Sequence, residues 1–234
     1  MSFNFGIKQW DSDFFGYPVA FIEGDGQLAE FENLIGRMRL EKVQLAYWFF
    51  DKHENEKKQI ADHFKGIAVH NRLTHQFDTE NKSAEDFKSN QIEFLKNWDD
   101  ALFQLILECG NFSRFKVDKN FGEEVYIKLY RRWTEEMLAH QIVMGFISGN
   151  KILGSAVVEI KDAIAALHFL AVSLSSRNTG IGRQLTRSVI QTAYENKCSS
   201  VVVYTHRINT PVWKLFEAEG FQLIKEESVY HFWL

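Results

Sequence analysis

The alternation of hydrophobic and polar positions changes period several times along the chain, and each change marks an element. "YPVAFIEG" is an apolar run closed by Gly24 and predicts a strand. In "LAEFENLIGRMRLEKV", Leu28, Phe31, Leu34, Ile35 and Met38 fall at helical spacing. "QLAYWFFD" is continuous and aromatic, the pattern of a buried strand. "ENEKKQIADHFKG" reads as a polar helix stopped by Gly66, and "IAVHNRLTHQFDT" as a further strand. Strand, helix, strand, helix, strand describes a small α/β unit.

The polar stretch "TENKSAEDFKSNQ", 79 to 91, predicts a boundary, with one domain over 1–80 and a larger one over 91–234. Beyond it, "IEFLKNWDDALFQLILECG" and "FGEEVYIKLYRRWTEEML" predict two helices with broad apolar faces. "QIVMGFIS" and "KILGSAVVEIKD" flank Gly149-Asn150, a pair suited to a tight reversal. "AIAALHFLAVS" follows the polar pair Lys161-Asp162, so three strands form an antiparallel meander. "SSRNTGIGRQL" then leads into a helix whose apolar face carries Ile181, Leu185, Val189, Ile190 and Ala193. "SVVVYTH" is a short buried strand, and "TPVWKLFEAEG" a helix between Pro211 and Gly220. "FQLIKEESVYHFWL" is a last strand or a bent pair of strands.

Composition narrows the class. The net charge is −4, without a basic run, which argues against a nucleic-acid partner. The two cysteines, Cys109 and Cys198, share no motif spacing, and His63, His70 and His75 lack a ligand spacing, so no metal is expected. No apolar run approaches the ~20 residues of a spanning helix, and "MSFNFGIKQWDSDFFG" lacks the pattern of a signal peptide. A cytoplasmic protein that does not insert into membranes is the expectation.

The candidate chemistry lies in the glycine turn. A helix N-terminus with unpaired N–H groups attracts anions, and glycines let the backbone approach them. A dinucleotide fingerprint needs a small residue where Leu185 stands, and the preceding strands look antiparallel. A nucleoside-triphosphate loop needs Lys-Ser/Thr where Arg183-Gln184 follow Gly182. The segment Arg177-Asn178-Thr179-Gly180-Ile181-Gly182 matches Arg/Gln-x-x-Gly-x-Gly/Ala, and the chain around it resembles the GNAT N-acetyltransferase superfamily. The alternative is a helix-opening turn with structural glycines.

The resemblance implies an α+β GNAT fold with a mixed, mostly antiparallel sheet, and a small N-terminal α/β unit similar to a partial GNAT fold. It implies acetyl-CoA as co-substrate. The pyrophosphate would rest on the N–H groups of Thr179 to Arg183, with Arg177 or Arg183 adding charge. Leu170, Ala171 and Val172 would pair with the pantetheine amides through backbone groups, and Asn209 would bond the same arm. Val172 N–H is a candidate oxyanion donor. "WDSDFFG", "NFSRF", "YIKLYRRW" and "VYHFWL" together resemble the dTDP-fucosamine acetyltransferase family, which acetylates a 4-amino-4,6-dideoxy sugar nucleotide. The implied partner is therefore a small-molecule amine carried on a sugar nucleotide.

His168, two residues before Leu170, is the base candidate, in a place similar to the strand histidines of aralkylamine acetyltransferases. A structural histidine on a sheet face is the alternative. The family's acid tyrosine corresponds to Phe216, which cannot donate a proton, although its position lies against the coenzyme. Tyr204, Thr205, His206 or water are the substitutes. Ser113, Arg114, Phe115, Tyr130 and Trp133 are candidate acceptor-binding residues. Core packing is the competing explanation for Tyr130 and Trp133, three apart on one helical face. Acetylation of another small amine or a peptide N-terminus, or acyl-CoA binding without turnover, remain alternatives. An exposed edge or the C-terminal strand offers a surface for a homodimer.

Overall fold

A computed structural model of the chain describes residues 2–80 and 91–234. Packing groups Met1–Arg72 with Glu226–Leu234 in one compact unit and gathers Leu73–Lys225 in a second. Most of the polar stretch read as a boundary, 79 to 91, lies outside the described residues.

The first unit contains strands Asn4–Ile7 (β1), Val19–Glu23 (β2) and Leu45–Asp51 (β3), with helices Gln9–Phe15 (α1), Leu28–Leu40 (α2) and Asn55–His63 (α3). Its strand order is β1-β2-β3, followed by the end of the last strand, Gln222–Trp233 (β10). β2 and β3 run parallel across the α2 crossover, while β1 pairs antiparallel with β2 and β10 antiparallel with β3. Helix α2 starts at a capping box between Gln27 and Glu30, which satisfies first-turn N–H groups. Of the predicted apolar stripe, Phe31, Leu34, Ile35 and Met38 are buried and pack with Ile22, Trp48, Phe50 and Phe232, whereas Leu28 is exposed. Two elements add to the predicted set: β1, and α1 over "WDSDFF", which Gly16 ends at φ 77°.

In the second unit the strand order is β4-β9-β8-β7-β6-β5, from the part of Ile67–Asp78 (β4) that starts at Leu73, Ile92–Leu95 (β5), Ile142–Ser148 (β6), Lys151–Lys161 (β7), Ile164–Val172 (β8) and Ser200–His206 (β9). β5 to β8 pair antiparallel, and β8 with β9 parallel. The helices are Asp100–Cys109 (α4), Arg114–Val117 (α5), Glu123–His140 (α6), Ile181–Glu195 (α7) and Thr210–Ala218 (α8). Residues of α7, with Phe216 of α8, share a core with the strands, so they cover one sheet face. α4 and α6 pack on the other, where Tyr130 of α6 meets Phe169 of β8, ring centroids 5.9 Å apart.

One predicted helix is corrected. "IEFLKNWDDALFQLILECG" divides into β5 and α4. Asp99 accepts hydrogen bonds from the N–H groups of Ala101 and Leu102, so the helix starts only after it. Residues 92–95 instead add an edge strand to β6, where the bare backbone of Gly145 leaves room for Leu95.

Candidate active site

Two irregularities in β8 build the site. The first is a bulge. Val157 of β7 opposes Phe169 and Val158 opposes Leu167, which leaves His168 as the extra residue. Leu167 belongs to the α7 core, and so do Leu170 and Val172 as partly buried neighbours. His168 and Phe169 therefore both project toward the face that carries α4 and α6. His168 Nε2 lies 2.8 Å from Glu159 Oε2 on the adjacent strand.

The second is a splay. Parallel pairing of β8 with β9 ends at Leu167↔Val203, whereas β8 stays paired to β7 as far as Val172. Ser173 N–H donates to Leu153 O at 2.8 Å. In an antiparallel ladder this sets the alternation: Phe169, Ala171 and Ser173 bond toward β7, while Leu170 and Val172 turn their N–H and C=O groups to the opened side. Of the three residues expected there, Ala171 thus has its backbone groups directed at β7. Two carbonyls on the opened side have partners within the protein. Cys109 Sγ donates to Leu170 O at 3.5 Å, and Arg177 Nε donates to Val172 O at 3.2 Å. Burial pushes the Cys109 thiol pKa up, which keeps it a neutral donor.

The glycine loop leaves the end of β8. Asn178 and Gly180 have left-handed φ of 62° and 90°, and Thr179 Oγ1 donates to Ser176 O at 2.6 Å. No side chain caps α7 at Gly180, which leaves its first N–H groups without a side-chain acceptor, a setting that favours anions. A side chain on Gly182 would meet Leu215 Cδ2 at 3.2 Å, so Gly182 allows α7 to sit close to α8. Ile181 is buried and serves the core. Arg183 pairs with Glu219 at 2.7 Å, and so does Arg187. The Arg183 charge is thus committed to a carboxylate only 3% exposed, which qualifies its expected place on a phosphate. Arg177 stands 4.0 Å from Glu108.

Two polar groups that follow β8 and β9 make no side-chain hydrogen bond among the described residues. Ser173 Oγ is buried without one, and the Asn209 side chain makes none. These groups, with the uncapped α7 turn, fit the phosphate and amide groups of a coenzyme A.

The acceptor-side candidates come together as one aromatic chain. Phe115 meets Trp133 at 5.5 Å, Trp133 meets Tyr130 at 5.1 Å, and Tyr130 reaches Phe169 beside the bulge. Phe115 and Tyr130 are buried, and burial raises the Tyr130 pKa strongly. These two pack the core rather than face solvent. Ser113 Oγ is buried close to the Tyr130 hydroxyl but outside hydrogen-bond geometry. Arg114, stacked on Phe115 at 4.2 Å, and Trp133 keep partial exposure.

The coenzyme position expected for Phe216 is corrected. It is 0% exposed, with Phe221 at 5.3 Å and His75 at 6.3 Å between ring centroids. Its ring fills the α7–α8 core and reaches no solvent. Of the substitutes, Tyr204 is 47% exposed, and Thr205 and His206 are buried. His206 Nδ1 accepts the Ile208 N–H at 3.1 Å, so the neutral ring carries its proton on Nε2. Burial lowers the His206 pKa.

Sequence reasoning missed Glu159 and Glu219. One is a lone carboxylate on a strand and the other the end of a helix, and neither belongs to a motif. Among the described residues, no cluster of three or more His, Cys, Asp or Glu side chains is arranged to hold a metal ion, and no helix is long and apolar enough to cross a membrane.

The central strand is bulged and parts from its parallel neighbour ahead of a glycine loop. The sequence matches the acetyltransferase (GNAT) family over residues 92–221, more than half of the chain, and the protein belongs to that family. It is an N-acetyltransferase of a family that typically takes its acyl group from acetyl-CoA. A search among curated proteins gives no match. Solved structures similar in fold include a GCN5-related N-acetyltransferase from Sphaerobacter thermophilus, 10% identical, with TM-score 0.60, covering 98% of this chain and 76% of that one. A tandem GNAT protein from the clavulanic acid biosynthesis pathway is 12% identical, with TM-score 0.59 and coverage of 92% and 75%. A functionally unknown conserved protein from Staphylococcus epidermidis is 8% identical, with TM-score 0.67 and coverage of 92% and 84%. The tandem neighbour agrees with a second, N-terminal unit in the present chain.

Proposed function

We propose that the protein acetylates the amino group of a nucleotide-linked amino-deoxy sugar. The observation that carries the acetyl-transfer part is the opened side of β8, bounded by His168 and by the uncapped start of α7. Acetyl-CoA supplies a thioester carbonyl open to attack and a thiolate that leaves readily. In this reading the N–H groups of Thr179 to Arg183 hold the pyrophosphate, aided by Arg177. Leu170 and Val172 bond the pantetheine arm with their outward backbone groups, and the Asn209 amide adds to them. Val172 N–H stabilises developing negative charge on the carbonyl oxygen. His168 removes the proton that keeps the acceptor amine from attacking.

The sugar-nucleotide part is supported by two things. The motifs "WDSDFFG" and "NFSRF" resemble those of enzymes with that substrate. Arg114 and Trp133 keep exposed surface on the aromatic chain that ends beside His168, with a guanidinium for phosphate and an indole for stacking.

The test measures thiol release from acetyl-CoA with dTDP-4-amino-4,6-dideoxyhexoses, diamines and peptide N-termini as acceptors. Turnover confined to the sugar nucleotides is expected, and turnover of a peptide or diamine alone would discard the acceptor assignment. Gly180→Asp and Gly182→Asp place a carboxylate in the loop and are expected to weaken acetyl-CoA binding at least tenfold by calorimetry. Unchanged affinity in folded variants would remove the loop from the coenzyme site.

A further inference from the structure

We infer that Glu159 is a positioning residue for His168, forming with it a carboxylate–imidazole pair that fixes which ring nitrogen meets the acceptor amine. The inference rests on the acetyltransferase reading and on His168 as its base.

The argument starts from the backbone. A regular ladder would set His168 opposite a β7 residue, with its side chain alternating against its neighbours'. The bulge frees it from a partner and directs it and Phe169 to the same face. On β7, Ala156 and Val158 belong to the α7 core, so Glu159 projects to the opposite face, the one His168 occupies. The 2.8 Å contact follows from this placement. The pair sits beside Leu167, the last β8 residue joined to β9, at the mouth of the splay.

The chemistry follows from the contact. A carboxylate can only accept from a neutral imidazole, so Glu159 holds the proton on Nε2. Nδ1 then carries the lone pair. Nδ1 takes a proton from the acceptor ammonium, and the freed nitrogen pair forms the N–C bond to the thioester carbonyl. The C–S bond breaks with its electrons on sulfur. The imidazolium formed gains from the adjacent carboxylate, as in other base–orienter pairs. Neither residue is deeply buried, with side chains 31% and 45% exposed. The pair therefore acts by orientation and charge rather than by stabilising the fold.

Two measurements test this on the full chain. The first is independent of acceptor: the imidazole ¹⁵N spectrum of His168, assigned with His168→Gln. It should show the Nε2–H tautomer in the parent and a mixture of tautomers in Glu159→Gln. A spectrum unchanged by Glu159→Gln overturns the inference. The second uses whichever acceptor of the panel above turns over. Glu159→Gln should lower kcat at least tenfold, leave KM for acetyl-CoA and acceptor within twofold, and cost nothing further in a His168→Ala background. Equal fold-losses in both backgrounds, or a change confined to KM, overturn it as well. If His168→Ala keeps full turnover while the spectrum responds as expected, the base assignment has failed and the positioning role falls with it. If no sugar nucleotide turns over but another amine does, only the acceptor assignment fails.

Discussion

His75 shows how one residue ties packing to pH. It lies on β4 at 0% exposure, and neither ring nitrogen has a hydrogen bond. Glu217 Oε1 is 3.8 Å from Nε2, too far to donate to. Burial lowers its pKa from the ordinary 6.5, against the opposing pull of Glu217. The unfolded chain therefore binds more protons than the folded one once the pH falls below that value. The contribution of neutral His75 to stability is complete above about pH 6.5 and is lost as the pH drops beneath it. His206, lowered for the same reason, acts in the same direction. The melting temperature is expected to fall between pH 7.5 and 5.5, and His75→Leu should flatten that slope. An equal slope in the variant would exclude His75 as a source. Phe216→Tyr, the substitution that restores the family's acid on paper, is expected to give no gain in thiol release, because the ring points into the core. Gly180→Ala forces a side chain into φ 90° and should cost about 1–2 kcal/mol in denaturant unfolding, with no clash to add to it.

At the scale of elements, the joint between α7 and α8 depends on Glu219. This carboxylate ends α8 at 3% exposure and binds the half-exposed Arg183 and Arg187 of α7. Losing either arginine leaves the other in place, so Arg183→Ala should cost under about 1 kcal/mol. Losing both strands a buried charge, and the double variant should cost about 3 kcal/mol or more, well beyond the sum of the single losses. Chemical denaturation of the four species measures this, and strict additivity would contradict the shared-carboxylate arrangement. The elements themselves were largely readable in advance. The α2 and α7 stripes, the Gly149 turn and the meander all follow from local period and turn chemistry. β5 was not, because Ile92, Phe94 and Leu95 suit a helix and a strand equally, and only pairing with β6 decides. The bulge was not legible either. A register shift depends on the partner strand, and "ALHFLAV" carries no local mark of it.

For the whole molecule, the last strand belongs to two units at once. Gln222 to Lys225 lie with the second unit, and Glu226–Leu234 complete the first, where Val229, Tyr230 and Phe232 are buried. In the first unit these residues pair antiparallel with β3 from Leu45 to Asp51. A fragment ending at residue 80 lacks that strand and exposes the β3 edge with its aromatic side chains. It is expected to aggregate when expressed alone. Deleting 226–234 from the full chain should abolish the cooperative unfolding of the first unit. A soluble, folded 1–80 fragment would show that this strand is dispensable. The aromatic run "VYHFWL" announced a strand, but nothing local announced which unit it would finish.

The sequence by itself determined the loop proposed to hold the acyl donor. A glycine turn between strand and helix is a local feature, and left-handed Asn178 and Gly180 with an uncapped α7 follow from residue type at short range. It also put His168 on the strand that leads into the loop. Tertiary structure decided what those residues can do. Glu159 reaches His168 only through a bulge set by β7, Leu170 and Val172 open outward only because β9 diverges, and Arg183 answers to a carboxylate at the end of another helix. Phe216, read from its motif as a coenzyme contact, became core because the packing of α8 turned that face inward. Period and turn chemistry act over a few residues. Register, splay and burial depend on partners far away in the chain, and they set the surroundings of His168.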